Sequence, residues 1–544
     1  MGRVIVIGID GATFDLLEPW AETGELPSIA RMLDEGAYGE LTSTLPPVTS
    51  PAWPTFATGK NPGKHGVFDF IRPMGGRFDL VNATSIQAKT IWQILSDREK
   101  MVGVMNVPVT YPPSEVNGFL ISGMLSPSGG DCSYPSGFVR DYEDRLGPYR
   151  VAPNVQYKEG NEQEFLDDAL DLVDLRARYA KALMEDHPSD FFMVHFQAPD
   201  VMQHALWRFI DPSHPRYNPQ AAERVIPKFK AVFKRIDAFI GYVLERWGEE
   251  ATVIVMSDHG FGPLHNVVNL NLFFLEKGLL QLKSGFWARI RAALFRAGVT
   301  PAAVWEWIER AGLQNYVWQV SKSTRNKIVG KFLSFEDVDW SQTVAYSIGH
   351  VGQVYINLKG REPDGIVEPG ANYREVRQRT IDALKELKDP RTGERLVSEI
   401  IPADEVVHGP HARRSPDLHL VLDDYRTIAF PLFAADGRIV TKQIRGDSGC
   451  HRRNGVLLMS GKGVREGFAV DGAHIMDLAP TILHLVGTPV PSDMDGRPLV
   501  SALDMEAPVE YVGEDERENS DGTGLSAEDA AEVEDRLRSL GYLS

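Results

Sequence analysis

Acidic and histidine side chains directly follow three apolar segments of the sequence. Asp10 ends the first segment, "VIVIGID". Asp200 and His204 follow "FFMVHF", and Asp258 and His259 follow "ATVIVM". Ligands of open α/β sheets bind beyond the carboxyl ends of the strands, where these side chains are expected to lie. Carboxylate together with imidazole is a ligand set typical of zinc, manganese or iron, so the pattern indicates a metal site.

Single residues of this set also have ordinary structural explanations. An acid after a strand is most often a helix N-cap, and Asp200 with His204 has the spacing of a helix-surface pair. The same spacing of one helical turn lets both side chains face one ion. Gly260 gives the backbone the freedom that Asp258 and His259 need in order to converge. Because these features occur together, they favour a dinuclear metal site over unrelated structural roles.

The segment "VTSPAWPTFATGKNPGKHG" (48–66) supplies candidate nucleophiles. Thr49 and Ser50 are rivals for this role, and Ser50 is also explained as a turn residue before Pro51. A bound metal lowers the pKa of a hydroxyl and makes it a better nucleophile. The segment "GIDGA" does not match the dinucleotide-binding pattern, and Asp10 would repel a pyrophosphate. An acid after the first strand is better explained as a ligand of a cation.

The elements that must position these residues can be predicted from periodicity. Continuous apolar runs predict buried, largely parallel strands, and amphipathic runs predict helices at 165–184 and 228–247. Strands that alternate with helices indicate an α/β fold around a mostly parallel sheet flanked by helices. The predicted strands are "RVIVIGI" (3–9), "MVGVMNV" (101–107), "FFMVHF" (191–196), "ATVIVM" (251–256), "DLHLVL" (417–422) and "GVLLMS" (455–460).

We predict three regions along the chain. Residues 1–262 and 405–504 form a discontinuous catalytic core, and 263–404 form an inserted, mainly helical cap that determines substrate choice. The cap segment could instead be more core, or lie on a membrane surface through arginines that flank apolar residues. Residues 505–544 form an acidic linker and a C-terminal helix, with Ser526 as its N-cap and Val533, Leu537 and Leu540 on one stripe.

Composition excludes several classes of protein. The net charge of −18 argues against a protein that wraps nucleic acid, although bound cations still permit an anionic substrate. Two cysteines in 544 residues do not make a disulfide framework. No apolar run approaches the ~20 residues that span a bilayer, and no signal peptide is predicted. We therefore expect a cytoplasmic protein without a membrane span.

Five motifs occur in an order that resembles the alkaline phosphatase superfamily, most closely its type I phosphodiesterase/nucleotide pyrophosphatase-like branch. The resemblance implies an alkaline-phosphatase-like α/β fold with a central, mostly parallel sheet and an inserted cap. It also implies a phosphoric ester hydrolase. The motifs are "GIDGA", "TSPAWPTFATGKNPGKHG", "APDVMQH", "SDHGFG" and "CHRRNGVLLMSG".

The resemblance also assigns roles to individual residues. Thr49 falls at the position of the nucleophile and would form a phosphothreonine intermediate. His451 is the expected last ligand, although His408 and His411 form a rival pair. Two divalent ions are implied, with Zn²⁺ favoured and Mn²⁺ fitting almost as well. One ion would be held by Asp10, Thr49, Asp258 and His259, and the other by Asp200, His204 and His451.

The substrate is less well defined. Asn106 and Arg452 are candidate contacts to phosphoryl oxygens, while Ala52 stands where related pyrophosphatases often have an asparagine. We expect cleavage of phosphodiester or pyrophosphate bonds in a small phosphate ester or nucleotide-like substrate. The alternatives are a phosphomutase or phosphotransferase, a phosphomonoesterase, or a non-catalytic binding protein. A homo-oligomer is compatible with each of them.

Overall fold

The computed structural model describes residues 2–74, 77–127, 130–300, 303–304, 307, 333–349, 351–430, 433, 437–442, 447–505, 507–514 and 525–539. The chain divides into two compact units. The first comprises residues 1–263, 407–412 and 446–543, and the second comprises 264–406 and 413–445. None of the described helices is both long and apolar enough to traverse a bilayer.

The described strands are numbered in chain order: β1 (Arg3–Ile9), β2 (Ala37–Thr42), β3 (Ile71–Met74), β4 (Arg77–Leu80), β5 (Val102–Val107), β6 (Gly118–Ser122), β7 (Ser133–Tyr134), β8 (Phe191–Phe196), β9 (Ala251–Met256), β10 (Gly260–Pro263), β11 (Asn266–Val268), β12 (Ala345–Ser347), β13 (Gln353–Ile356), β14 (Val397–Pro402), β15 (Leu418–Leu422), β16 (Thr427–Ala429), β17 (Val440–Lys442), β18 (Gly449–Arg452), β19 (Asn454–Gly461), β20 (Phe468–Ala469), β21 (Ala473–His474), β22 (Val490–Pro491) and β23 (Tyr511–Val512).

The described α-helices are α1 (Phe14–Glu22), α2 (Pro27–Glu35), α3 (Thr49–Thr58), α4 (Pro62–His65), α5 (Ile91–Ser96), α6 (Arg140–Leu146), α7 (Glu162–Asp186), α8 (Ala198–Ile210), α9 (Pro219–Trp247), α10 (Leu270–Glu276), α11 (Phe286–Arg296), α12 (Ala371–Lys385), α13 (Leu478–Val486) and α14 (Ala527–Ser539). The predicted helices at 165–184 and 228–247 correspond to α7 and α9.

The first unit is organised by one large sheet. Its strand order is β20-β2-β19-β9-β1-β8-β5-β6-β7, and β21 pairs with β2. The strands β9, β1, β8, β5 and β6 run parallel to their neighbours within this group. This arrangement confirms the predicted α/β class with a mainly parallel central sheet.

Helices cover the sheet on both faces. Alternate residues of a strand point to opposite faces, and β1 follows this rule. Ile5, Ile7 and Ile9 pack in a hydrophobic cluster with α1, α2, α7, α8 and α9. Val4 and Val6 pack in a second cluster with α3, α5 and α13. Burial on both faces explains why the core strands are continuously apolar.

Two of the predicted parallel strands have the opposite direction. β19, predicted at 455–460, is antiparallel to both of its neighbours, β2 and β9. β15, predicted at 417–422, belongs to the second unit, where β13 and β14 pair with it in antiparallel fashion. A continuous apolar run reports burial on both faces and carries no information about strand direction. The prediction that 405–504 belongs wholly to the core is accordingly wrong for 413–445.

The second unit has a hydrophobic core of its own, which includes Phe274, Val354 and Leu420. One sheet has the order β12-β13-β15-β14, and the other has the order β16-β11-β17. The helices α10, α11 and α12 also belong to this unit. The described part of the predicted cap thus contributes strands to two sheets besides its helices.

The C-terminal helix α14 packs on the first unit. The backbone N–H of Asp529 donates to Ser526 Oγ at 3.1 Å, which is the predicted N-cap. Val533 and Leu537 are buried, and the Arg536 guanidinium donates to the Ser126 carbonyl at 2.6 Å. Leu540, the third residue of the predicted stripe, lies outside the described residues.

Candidate active site

The carboxyl ends of β1 and β9 bring together a first group of candidate metal ligands. Asp10 follows β1, and Asp258 and His259 follow β9, and all three side chains are fully buried. His259 Nε2 lies 3.3 Å from Asp258 Oδ2 and 3.6 Å from Asp10 Oδ1. One ligand atom of each residue lies within 4.8 Å of the others.

The second group joins α8 to β18. Asp200 lies in the first turn of α8 and His204 lies one turn later, while His451 lies on β18. His451 Nε2 is 3.3 Å from Asp200 Oδ1 and 2.9 Å from His204 Nε2. The rings of His259 and His451 stack with centroids 3.7 Å apart, so the two groups adjoin.

The orientation of the three histidine rings fits a cation. Each ring has its Nδ1 next to a backbone carbonyl: His204 next to Gly449, His259 next to Gly260, and His451 next to Pro47, at 3.2, 3.1 and 2.8 Å respectively. We assign the Nδ1–H as the donor in these hydrogen bonds, which leaves the Nε2 lone pair facing the carboxylates. Imidazole nitrogens and carboxylate oxygens that converge in this way can act as metal ligands, and cations at the two groups would satisfy them.

Burial and the pKa shifts point to the same conclusion. Burial lowers the pKa of His259 and of His451 to about 4, so both rings are neutral near pH 7. Burial and the nearby Asp200 carboxylate raise the pKa of Asp258 to about 7, and burial together with Asp258 and Asp200 raises that of Asp10. Among the described residues, Asp10 Oδ1 and Asp258 Oδ2 have no hydrogen-bond partner. Two buried carboxyl groups with open acceptor oxygens suit a divalent cation.

Thr49 adjoins the first group. It is the first residue of α3, it is fully buried, and its Oγ1 lies 3.3 Å from His259 Nε2. The first turn of a helix favours negative charge, which suits a bound phosphoryl group. Ser50, its rival, is also buried, and its hydroxyl has no hydrogen-bond partner among the described residues.

The rival histidines have other contacts. His408 Nε2 lies 2.9 Å from Asp495 Oδ1, and the backbone N–H of His411 donates to the Gly63 carbonyl at 2.8 Å. His451, by contrast, shares a group with Asp200 and His204. The geometry therefore favours His451 as the candidate ligand.

His195 is a site residue that sequence reasoning missed. It lies on β8 and is fully buried, and its Nε2 is 2.9 Å from Asp10 Oδ2. Its Nδ1 is 3.0 Å from the carbonyl oxygen of Asn106. Burial lowers the pKa of His195 to about 3, which keeps the ring neutral. A histidine inside the otherwise apolar segment "FFMVHF" was the available signal, because a buried histidine needs polar partners.

Replacing His195 with glutamine is expected to weaken metal binding by about 10- to 100-fold while the fold persists. The reason is that partners which orient a ligand typically contribute this much to metal affinity. Competition between the protein and a fluorescent zinc chelator measures the effect. His187→Gln is the matched control, since His187 contacts Tyr142 Oη at 2.8 Å and no candidate ligand among the described residues. Equal affinities for the two variants would contradict the assigned role.

A comparison with protein-family models identifies the family of the chain. A model described as type I phosphodiesterase/nucleotide pyrophosphatase matches residues 4–431, which is more than half of the chain. The chain belongs to the type I phosphodiesterase/nucleotide pyrophosphatase family. It is accordingly a phosphoric ester hydrolase. The matched residues include six of the seven candidate ligands and end before His451.

A solved phosphonoacetate hydrolase structure has a similar fold, and a second solved structure is a further match. A phosphonoacetate hydrolase from Sinorhizobium meliloti in complex with phosphonoformate is 14% identical with a TM-score of 0.52, covering 90% of this chain and 95% of that chain. An inactive form of murine ectonucleotide pyrophosphatase/phosphodiesterase 5 in complex with AMP is 13% identical with a TM-score of 0.48, covering 93% and 100%. A comparison with curated protein sequences finds no match.

The two residues predicted to contact the substrate, Asn106 and Arg452, form hydrogen bonds within the protein. Asn106 has a positive φ of 66°, and its side-chain NH₂ donates to the His195 carbonyl at 3.3 Å. The Arg452 guanidinium donates to the carbonyl oxygens of Pro263 and His451 at 2.7 and 3.1 Å, which ties β18 to β10. Their roles in substrate binding stay predictions. Ala52 packs in the hydrophobic cluster beneath α3.

Proposed function

We propose that this phosphodiesterase-family protein cleaves phosphodiester or pyrophosphate bonds with Thr49 as the nucleophile and two divalent cations, Zn²⁺ before Mn²⁺. The observation that carries the proposal is the position of Thr49 Oγ1, 3.3 Å from His259 Nε2 at the first turn of α3. The cations, when bound, would supply Lewis acidity to the hydroxyl and to the phosphoryl oxygens.

The residues of the chain would then act in two steps. Thr49 Oγ1 forms a bond to phosphorus as the bond to the leaving oxygen breaks, which gives a phosphothreonine. Water next attacks the phosphorus and releases Thr49 and the product phosphate group. The first turn of α3 favours the negative charge of the phosphoryl group in both steps.

Ser50 is suited to assist without acting as the nucleophile. Its buried hydroxyl lies next to Thr49 in the chain and has an open hydrogen-bonding capacity among the described residues. It is therefore a candidate donor to a phosphoryl oxygen, a role that Ala52 cannot fill. A donor of this kind typically contributes about 10²- to 10³-fold in kcat.

A substrate screen tests the proposed reaction. The protein, supplied with Zn²⁺ or Mn²⁺, is assayed with bis-p-nitrophenyl phosphate, p-nitrophenyl phosphate and p-nitrophenyl sulfate. We expect the highest kcat/KM with the diester. A preference for the monoester would favour a phosphomonoesterase, and no turnover of any ester would favour a phosphomutase or a binding protein.

A further inference from the structure

Helix α11 of the second unit carries apolar side chains on two opposite faces. Ala288, Ala292 and Phe295 are buried and anchor the helix in its own unit. Phe286 and Trp287, by contrast, are 71% and 68% exposed. Leu294 is 45% exposed and lies two helical turns after Trp287, so it shares their side of the helix. We call Phe286, Trp287 and Leu294 the outer face of α11.

Large exposed aromatic side chains of this kind mark interaction sites. Trp307, another described residue of the same region, is 64% exposed. A helix that only packed against its own unit would carry polar residues on its outer side. The outer face of α11 is therefore suited to a partner with an apolar layer.

The sequence segment that contains this face is basic, whereas the whole chain is acidic. Residues 277–305 contain no Asp or Glu, although the net charge of the protein is −18. Arg289 lies on α11, is exposed and forms no ion pair with another described residue. Lys277 and Arg291, by contrast, pair with Glu386 and Asp337, so Arg289 carries the open positive charge on α11 among the described side chains. Local positive charge in an acidic chain selects an anionic partner. The basic residues of 277–305 are Lys277, Lys283, Arg289, Arg291 and Arg296.

We infer that the outer face of α11 docks on the surface of an anionic lipid bilayer. Trp and Phe favour the boundary between head groups and acyl chains, and the exposed Arg289 side chain would reach the anionic head groups. With 11 residues, α11 is about 16 Å long, which suits a helix lying in the interface. Such docking would bring the second unit to a membrane surface.

Vesicle co-sedimentation of the full chain tests this inference. The probes are vesicles of phosphatidylcholine alone and vesicles of equal parts phosphatidylcholine and phosphatidylglycerol. We expect at least about tenfold stronger partitioning onto the anionic vesicles, weakening at high salt. Replacing Phe286, Trp287 and Leu294 together with serine should abolish binding. Arg289→Glu should weaken it several-fold at low salt.

Two exposed apolar residues of the first unit provide matched controls. Tyr511 and Val500 are exposed apolar residues of the first unit, and their replacement with serine should leave vesicle binding unchanged. Circular dichroism and esterase activity check that the triple variant folds. Absence of binding to anionic vesicles would overturn the inference. Binding that survives the triple substitution would also overturn it. A dimer in sedimentation velocity that the triple substitution dissociates would overturn it too, because a second copy of the chain would then cover this face.

Discussion

Replacement of Thr49 with alanine is expected to lower kcat by at least about 10³-fold while the bound metal stays near its wild-type level. The loss follows because the attacking oxygen is removed, whereas the carboxylate and imidazole ligands remain. Steady-state turnover of the diester and metal analysis of the same sample measure the two quantities. Thr49→Ser should recover part of the activity, since a primary hydroxyl can occupy the same position.

Ser50→Ala is the matched control for this experiment. The two hydroxyls are adjacent and equally buried, but only the hydroxyl of Thr49 contacts His259. We expect the Ser50 variant to lose no more than about 10²- to 10³-fold in kcat, as for the loss of one assisting donor. Rapid quenching with a phosphorus-labelled substrate should trap label on wild-type protein and on Ser50→Ala. Label trapped only when Ser50 is present would reverse the assignment.

Replacement of Asp258 with asparagine is expected to have opposite effects on activity and on stability. Activity should fall at least about 10³-fold, because the first group loses a charged ligand. The metal-free protein should nevertheless gain on the order of 2 kcal/mol in free energy of unfolding near pH 8, since a buried carboxylate beside Asp10 is removed. Asparagine keeps the oxygen that accepts from the Gly11 N–H at 3.3 Å. Chemical denaturation after chelator treatment measures the gain.

The pH dependence of that gain follows from the pKa of Asp258. Burial and Asp200 raise it from 3.8 to about 7, so the folded wild type holds a proton that the unfolded chain releases. The wild-type protein loses this contribution as pH rises through that window, and the asparagine variant does not. The difference in unfolding free energy should therefore grow between pH 4 and 7 and level off above. Buried neutral histidines have the opposite sign, but they are common to both proteins and cancel.

A gain that stayed constant with pH would contradict the raised pKa. Excess Zn²⁺ should reverse the order, because a cation stabilises the charged carboxylate of the wild type and binds the variant more weakly. Asp495→Asn serves as the control, as His408, Lys64 and Asn61 already pair with that carboxylate. The Asp495→Asn substitution removes the charge with which these groups pair, so it should destabilise the protein with or without the metal.

The sequence allowed the site to be predicted more fully than its surroundings. Asp10, Asp200 and Asp258 could be placed together because parallel strands present their carboxyl ends at one edge of a sheet. The direction of β19 could not be predicted, because a strand buried on both faces reads the same in either direction. The return of 413–445 to the second unit was missed because an apolar strand such as β15 does not show from its sequence which sheet it joins.

Residues that support the ligands were also hard to predict. His195 lies in a strand whose neighbours are all apolar, and its partner Asp10 is 185 positions away in the chain. Arg452 follows His451 directly and is a predicted contact to a phosphoryl oxygen. Its guanidinium also donates to the carbonyl oxygens of Pro263 and His451, which the sequence did not indicate. Local spacing indicates ligands that share a strand end or a helical turn, whereas contacts between distant segments require the fold.

The central claim, a site for two divalent cations, is tested most directly by metal content per chain. Inductively coupled plasma mass spectrometry is applied to wild type and to one variant of each group, His451→Ala and Asp258→Asn, with His408→Ala as control. The proposal predicts two ions in the wild type and the control, and about one in each variant. A wild type with one ion or none after zinc loading, or two ions retained in both variants, would contradict it.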